Sequence, residues 1–179
     1  MYSLIWVAFA KRDPEELRLY LGKYLDKIKR KEIDPGSPEW LPIMLHNAGL
    51  ESKAEEVLKP KPIALGPRPE RALWRHVAIL LQANRRARQG RLTAGPSVLD
   101  ELMAGRQQLF VFRDWWTDTC FLLESQVLAE TMEITGNLFA AIHVLEDVAG
   151  NLQRFRSAYA DLYLATRAQL AKLTGSRGV

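Results

Sequence analysis

Residues 138–173 read LFAAIHVLEDVAGNLQRFRSAYADLYLATRAQLAKL, and they carry the clearest helical pattern in the chain. Its positions alternately three and four apart are mostly apolar: Leu138, Ala141, Leu145, Val148, Leu152, Phe155, Tyr159, Leu162, Thr166, Gln169 and Leu173. Such spacing is typical of a helix whose apolar seam packs along a second helix. The stretch therefore predicts an amphipathic helix. Gly150 either kinks this helix or divides it, because glycine costs about 1 kcal/mol relative to alanine inside a helix.

The preceding segment supplies a partner for this seam. Residues 97–135 contain no proline and carry apolar residues at seven-residue intervals, at Leu102, Leu109, Trp116 and Leu123. We interpret the segment as one long helix, with an interruption or a local strand at residues 109–112 as the alternative. Only Thr-Gly-Asn at residues 135–137 separates the two long helices. They are therefore predicted to run antiparallel as a hairpin.

The N-terminal half is also predicted to be helical. Residues 13–16, Asp-Pro-Glu-Glu, have the chemistry of a helix start, since Asp13 can cap the helix and Pro14 has the φ of a first helical residue. Gly49 is typical of a helix terminator. Residues 1–10, MYSLIWVAFA, are almost wholly apolar and form either a short buried strand or an apolar helix. The predicted fold class is all-α, with a helical N-terminal half packed on a long antiparallel C-terminal hairpin and one short N-terminal strand as a variant.

The 179 residues are sufficient for a single helical domain. Four prolines in residues 59–69, KPKPIALGPRP, indicate an extended and fairly stiff linker. We assign the chain to N-terminal helices (1–58), this linker (59–69), a helix plus the long hairpin (70–174) and a disordered tail (175–179).

Composition excludes several classes of protein. A single cysteine and three histidines rule out a disulfide framework and a multi-cysteine zinc site, and we expect neither metal nor cofactor. The apolar residues 1–10 are about half a membrane span, and their positive charges follow instead of preceding them. We therefore expect no signal peptide and no membrane association. The absence of paired cysteines favours the cytoplasm.

The net charge of +4 conceals a segregation along the chain. Residues 61–92 hold eight basic residues and one acid, whereas residues 93–149 hold two basic and nine acidic residues. The basic segment either attracts a polyanion or faces the acidic segment inside the fold. The candidates for binding a partner or nucleic acid are Arg75, Arg85, Arg86, Arg88 and Arg91, and a second basic patch comprises Lys27, Lys29, Arg30 and Lys31.

No catalytic signature is apparent. The sequence contains neither of the common glycine-rich phosphate loops. Glu146 follows His143 by three positions, the reverse of the Glu-x-x-His order found in helical di-metal sites. Trp115 lies one position off the predicted seam, and an exposed tryptophan is a good anchor for a protein interface.

These observations favour a non-catalytic cytosolic protein that binds another macromolecule. Elimination and analogy favour a protein partner, for which this chain would be an inhibitor, an immunity-type factor or an adaptor. The alternative is a DNA- or RNA-binding accessory protein that uses the arginines of residues 75–91. Self-association through the helical hairpin is a further expectation.

Overall fold

The computed structural model describes residues 2–33, 40–58, 68–92, 96–109, 115–154 and 160–175. Every regular element in these ranges is an α-helix, so the predicted all-α class is confirmed. The chain divides into two compact units, Met1–Ala64 and Leu65–Val179. The division falls within the proline-rich residues 59–69, of which 59–67 lie outside the described ranges.

The first unit opens with a helical pair. Residues 1–10, for which the sequence allowed a strand, form the helix α1 (Tyr2–Ala10), which packs on α2 (Pro14–Lys29). As expected, the Asp13 carboxylate caps α2 and accepts hydrogen bonds from the backbone N–H groups of Glu15 and Glu16, both at 3.0 Å. The apolar N-terminus therefore forms a helix and not a strand, and Ile5 and Ala8 of this helix are completely buried.

Two short helices complete this unit, α3 (Trp40–Asn47) and α4 (Glu51–Leu58). The Trp40 ring contacts Tyr24 of α2 with the ring centroids 5.4 Å apart. Gly49 terminates α3 as predicted, with a φ of +71°. The guanidinium of Arg18 donates two hydrogen bonds to the carbonyl of Ala48, at 3.1 and 3.0 Å, and so satisfies a carbonyl at the end of α3.

The second unit contains five helices in the described ranges: α5 (Arg68–Arg88), α6 (Pro96–Leu109), α7 (Trp115–Ile134), α8 (Leu138–Arg154) and α9 (Ala160–Gly175). Each predicted long helix is thus represented by two elements. Residues 110–114 lie between α6 and α7, and residues 155–159 between α8 and α9, outside the described ranges.

The sequence allowed a kink or a division at Gly150, but α8 continues through Gly150 to Arg154, and a separate helix, α9, packs beside it. The seam positions are nevertheless buried in both helices. Leu145, Val148 and Leu152 of α8 are at most 1% exposed, and Leu162 and Leu173 of α9 are each 3% exposed. Phe155 falls outside the described residues.

Helix α7 runs through the middle of this unit. Side-chain contacts join α5 to α7 in the same order along both helices, from His76–Glu124 to Asn84–Thr131, so the two helices run parallel. Helix α8 follows α7 after the turn at residues 135–137 and packs against it. Gln126 donates a hydrogen bond to Thr166 at 2.8 Å, and this contact ties α9 to α7.

Candidate functional site

The C-terminal ends of α5 and α7 meet at one end of the second unit. The last turn of α5 lies beside the last turns of α7, because the two helices are parallel and Arg88, the last residue of α5, binds Glu130. Lys172, in the last turn of α9, contacts Glu133 at 2.9 Å and so places the end of α9 there too. We call this region the end surface, and it comprises Arg85, Arg86, Arg88, Arg91, Glu130, Glu133, Ile134, Phe139 and Lys172.

The structure does not unite all five predicted arginines. Arg75 is exposed on α5, but it precedes Arg85 by ten residues, or about 15 Å of helix. Only the four arginines of residues 85–91 belong to the end surface. The patch predicted over residues 75–91 therefore divides into Arg75 and the four arginines of residues 85–91.

The acidic helix α7 neutralises part of this basic cluster. The guanidinium of Arg88 donates two hydrogen bonds to the carboxylate of Glu130, at 3.0 and 2.9 Å. Both side chains are about one third exposed, at 35% and 31%. Arg85 is half-buried and also engaged within the chain. Arg86 and Arg91 are exposed, and they carry the positive charge that this surface presents to solvent.

A tight turn fixes Arg91 in place. Gly90 has a φ of +65°, and its N–H donates to the carbonyl of Ala87 at 2.9 Å. The N–H of Arg91 donates to the carbonyl of Arg86 at 2.8 Å. These two bonds form the glycine-dependent motif that commonly ends a helix, so the chain beyond α5 leaves in one direction.

The turn between α7 and α8 exposes two apolar side chains. Ile134 is 44% exposed and Phe139 is 75% exposed. Neither was predicted from the sequence, because the prediction followed the seam positions, and Phe139 lies one residue away from the seam at Leu138. An aromatic residue that is off the seam and next to a Gly-Asn turn is the signal that could have identified it.

The remaining sequence candidates lie elsewhere. Lys29, Arg30 and Lys31 are exposed around the end of α2 in the first unit, and Lys27 is half-buried there. Arg30 lies 3.9 Å from Glu32, and the cluster complements the C-terminal dipole of α2. Trp115 begins α7, and its side chain is outside the described part of the chain.

A second polar cluster, which the sequence did not reveal, lies inside this unit. Glu124 of α7 is fully buried, and its carboxylate lies 2.9 Å from Nε2 of His76 and 3.4 Å from Nε of Arg106. The same guanidinium contacts Asp147 of α8 at 2.7 Å. Ser125 completes the cluster and lies 3.2 Å from Arg106. We call these five residues the buried network.

The geometry of the buried network is that of a brace between helices. Its members come from α5, α6, α7 and α8, and their polar atoms bind one another. Arg106 also lies over the Phe121 ring, 4.4 Å from its centroid. His76, Arg106 and Glu124 are each at most 7% exposed, so this part of the network is withdrawn from solvent. This arrangement is better suited to holding the four helices together than to catalysing a reaction of a bound molecule.

Among the described residues, no group of three or more histidines, cysteines, aspartates and glutamates is placed to hold a metal ion. Within those same ranges, no helix has the length and apolar character that crossing a membrane requires. Comparisons with protein-family models, with curated proteins and with solved structures found no match to this chain.

Proposed function

We propose that this protein is a non-catalytic factor that binds another protein through the end surface, as an inhibitor, an immunity-type factor or an adaptor. The observation that carries the proposal is the exposure of Phe139 and Ile134 at the same end of the unit as Arg86 and Arg91. Aromatic residues and arginines are the side chains that most often dominate the binding energy of protein interfaces.

The two carboxylates of this surface favour a protein over a nucleic acid. Glu130 and Glu133 lie on α7 among the basic residues and reduce the attraction of the surface for phosphate. Both carboxylates pair with cations of neighbouring helices, Glu130 with Arg88 and Glu133 with Lys172. The surface therefore carries charges of both signs beside exposed apolar residues, which is a better match for a protein than for a polyanion.

Single-stranded nucleic acid is the second candidate, and one observation favours it. Phe139 offers an exposed ring on which a base could stack, at the same end of the unit as the exposed arginines. The two candidates differ in their response to salt and in the molecule that the surface retains.

The test compares the full-length protein with two variants. In the first, Arg86→Glu and Arg91→Glu reverse the exposed charges of the end surface. In the second, Arg75→Glu makes the same change on the same helix, about 15 Å away, and serves as the matched control. Cross-linked proteins recovered from the native host are compared between the three, and binding to a random 20-base-pair duplex and to poly(U) is measured across a salt series.

We expect a protein that the wild type and Arg75→Glu both retain and that the double variant loses. Nucleic-acid binding should be weak at physiological salt and equal in all three proteins. Tight binding to the duplex or to poly(U), with a steep salt dependence that the double variant removes, would refute the proposal. On duplex DNA each neutralised phosphate contact adds about 0.9 to the salt slope of the logarithm of affinity.

A further inference from the structure

We infer that the end surface recognises an acidic segment of its partner that carries an apolar anchor residue. The anchor packs on Phe139 and Ile134, and the flanking carboxylates of the segment pair with Arg86 and Arg91. This inference rests on the proposed function and specifies the chemistry of the partner.

The apolar pair and the arginines lie at the same end of the second unit. Arg88, the last residue of α5, binds Glu130, which lies one turn before Ile134 in α7, and Phe139 follows in the first turn of α8. Arg86 lies in the last turn of α5, and Arg91 follows it directly after Gly90. A single segment of a partner can therefore reach both the apolar and the basic residues.

Backbone hydrogen bonds hold the turn between Ile134 and Phe139 in one conformation. The N–H of Asn137 donates to the carbonyl of Met132 at 2.8 Å, and the N–H of Gly136 donates to that of Glu133 at 3.1 Å. Gly136 has a φ of +80°, which a residue with a side chain rarely adopts. The backbone on both sides of the turn is thus fixed before binding, which lowers the entropy lost when a partner docks.

The exposed charge of the end surface is positive. The carboxylates of Glu130 and Glu133 are held by Arg88 and by Lys172, at 2.9 Å in both pairs. Arg86 and Arg91 remain exposed, so the charge offered to a partner is positive. Carboxylates around an apolar anchor complement this surface, whereas a basic segment would be repelled.

The test selects peptides from a random twelve-residue display library on the immobilised full-length protein. The affinities of the recovered peptides are then measured by fluorescence polarisation against Phe139→Ser, against the double variant Arg86→Glu and Arg91→Glu, and against Leu164→Ser. Leu164 is 62% exposed on α9 of the same unit, so its substitution is the matched control for the loss of an exposed apolar side chain.

We expect peptides enriched in Asp and Glu that contain at least one large apolar residue. Phe139→Ser and the double arginine variant should each weaken their binding at least tenfold, and Leu164→Ser should leave it unchanged. Recovery of basic or uncharged peptides, of none, or equal binding to Phe139→Ser and to wild type would overturn the inference.

The failure of this inference is distinguishable from the failure of the proposed function. A host protein that depends on Arg86 and Arg91 but binds Phe139→Ser as well as wild type leaves the proposed function standing and removes the anchor. Binding of poly(U) that Phe139→Ser abolishes removes both, because it assigns the ring to base stacking.

Discussion

Two glycines show how much a single residue position depends on its surroundings. Gly105 and Gly150 are both helical, in α6 and α8. A Cβ atom at residue 105 would lie 2.8 Å from Nδ1 of His76, whereas a Cβ atom at residue 150 would meet nothing within 4 Å. His76 cannot move away easily because it is buried and bound to Glu124. Residue 105 therefore requires glycine, and residue 150 tolerates alanine.

Substitution by alanine should accordingly have opposite effects at these two positions. Gly105→Ala should lower the free energy of unfolding by about 1–3 kcal/mol, because the added methyl group displaces a buried ring. Gly150→Ala should raise it by about 0.5–1 kcal/mol, because alanine loses less conformational entropy in a helix. Urea unfolding of the two variants checks both values, and an equal effect of the same sign at both positions would contradict this account.

The buried network is the other feature that depends on individual residues. Removal of Arg106 leaves the fully buried carboxylate of Glu124 without its guanidinium. Asp147 loses its contact as well, but its side chain is 39% exposed and water can replace the arginine. The cost of losing Arg106 should therefore come mainly from Glu124.

Arg106→Met should lower the free energy of unfolding by about 3–5 kcal/mol, the usual cost of breaking a buried ion pair. Adding Glu124→Leu should cost less than the sum of the two single changes, since no charge is then left buried without its arginine. Arg88→Met, which removes a pair that is about one third exposed, should cost about 1 kcal/mol or less. Additive effects of the Arg106 and Glu124 changes in thermal or urea unfolding would show that the network is not coupled.

Neither the difference between Gly105 and Gly150 nor the buried network could be predicted from the sequence. Glu124 and Arg106 read as ordinary charged residues of helices, because nothing in a helical period distinguishes a solvated charge from one that faces an oppositely charged side chain. The cap at Asp13 and the helix ends at Gly49 and Gly136 were predictable, because their chemistry is local.

Helices α8 and α9 show how much the spacing of apolar residues predicts about a helix. The three–four spacing over residues 138–173 identified the buried face correctly, since Leu145, Leu152 and Leu162 are all buried. The spacing did not locate the boundary between the two helices, because it continues through residues 155–159 of the sequence, and Gly150, where a division was an alternative, lies inside α8. Only the packing of α9 beside α8 shows the change of direction.

Leu152 and Leu164 test this account of the seam. Leu152→Ala should lower the free energy of unfolding by about 2–5 kcal/mol, because the side chain is 1% exposed and its removal leaves a cavity. Leu164→Ala, at a position off the seam that is 62% exposed, should change it by about 0.5 kcal/mol or less. Chemical denaturation measures both, and similar values for the two leucines would remove the basis for the seam.

The packing of the second unit explains the segregation of charge along the chain. The basic residues 61–92 include α5, and the acidic residues 93–149 include α7, which packs against it. Arg88 and Glu130 pair across these helices, so part of the segregated charge is neutralised inside the fold. The sequence could predict this cancellation as one of two outcomes. It could not predict which arginines stay exposed, because that depends on the register of α5 against α7.

Photo-crosslinking at residue 139 tests the claim that the end surface binds a protein. A photoreactive phenylalanine analogue replaces Phe139 in the full-length protein inside the native host, and the same analogue at residue 164 is the control. We predict a cross-linked protein from residue 139 that disappears when Arg86→Glu and Arg91→Glu are added, and none from residue 164. Cross-links to RNA or DNA at residue 139, or identical products from both positions, would contradict the claim.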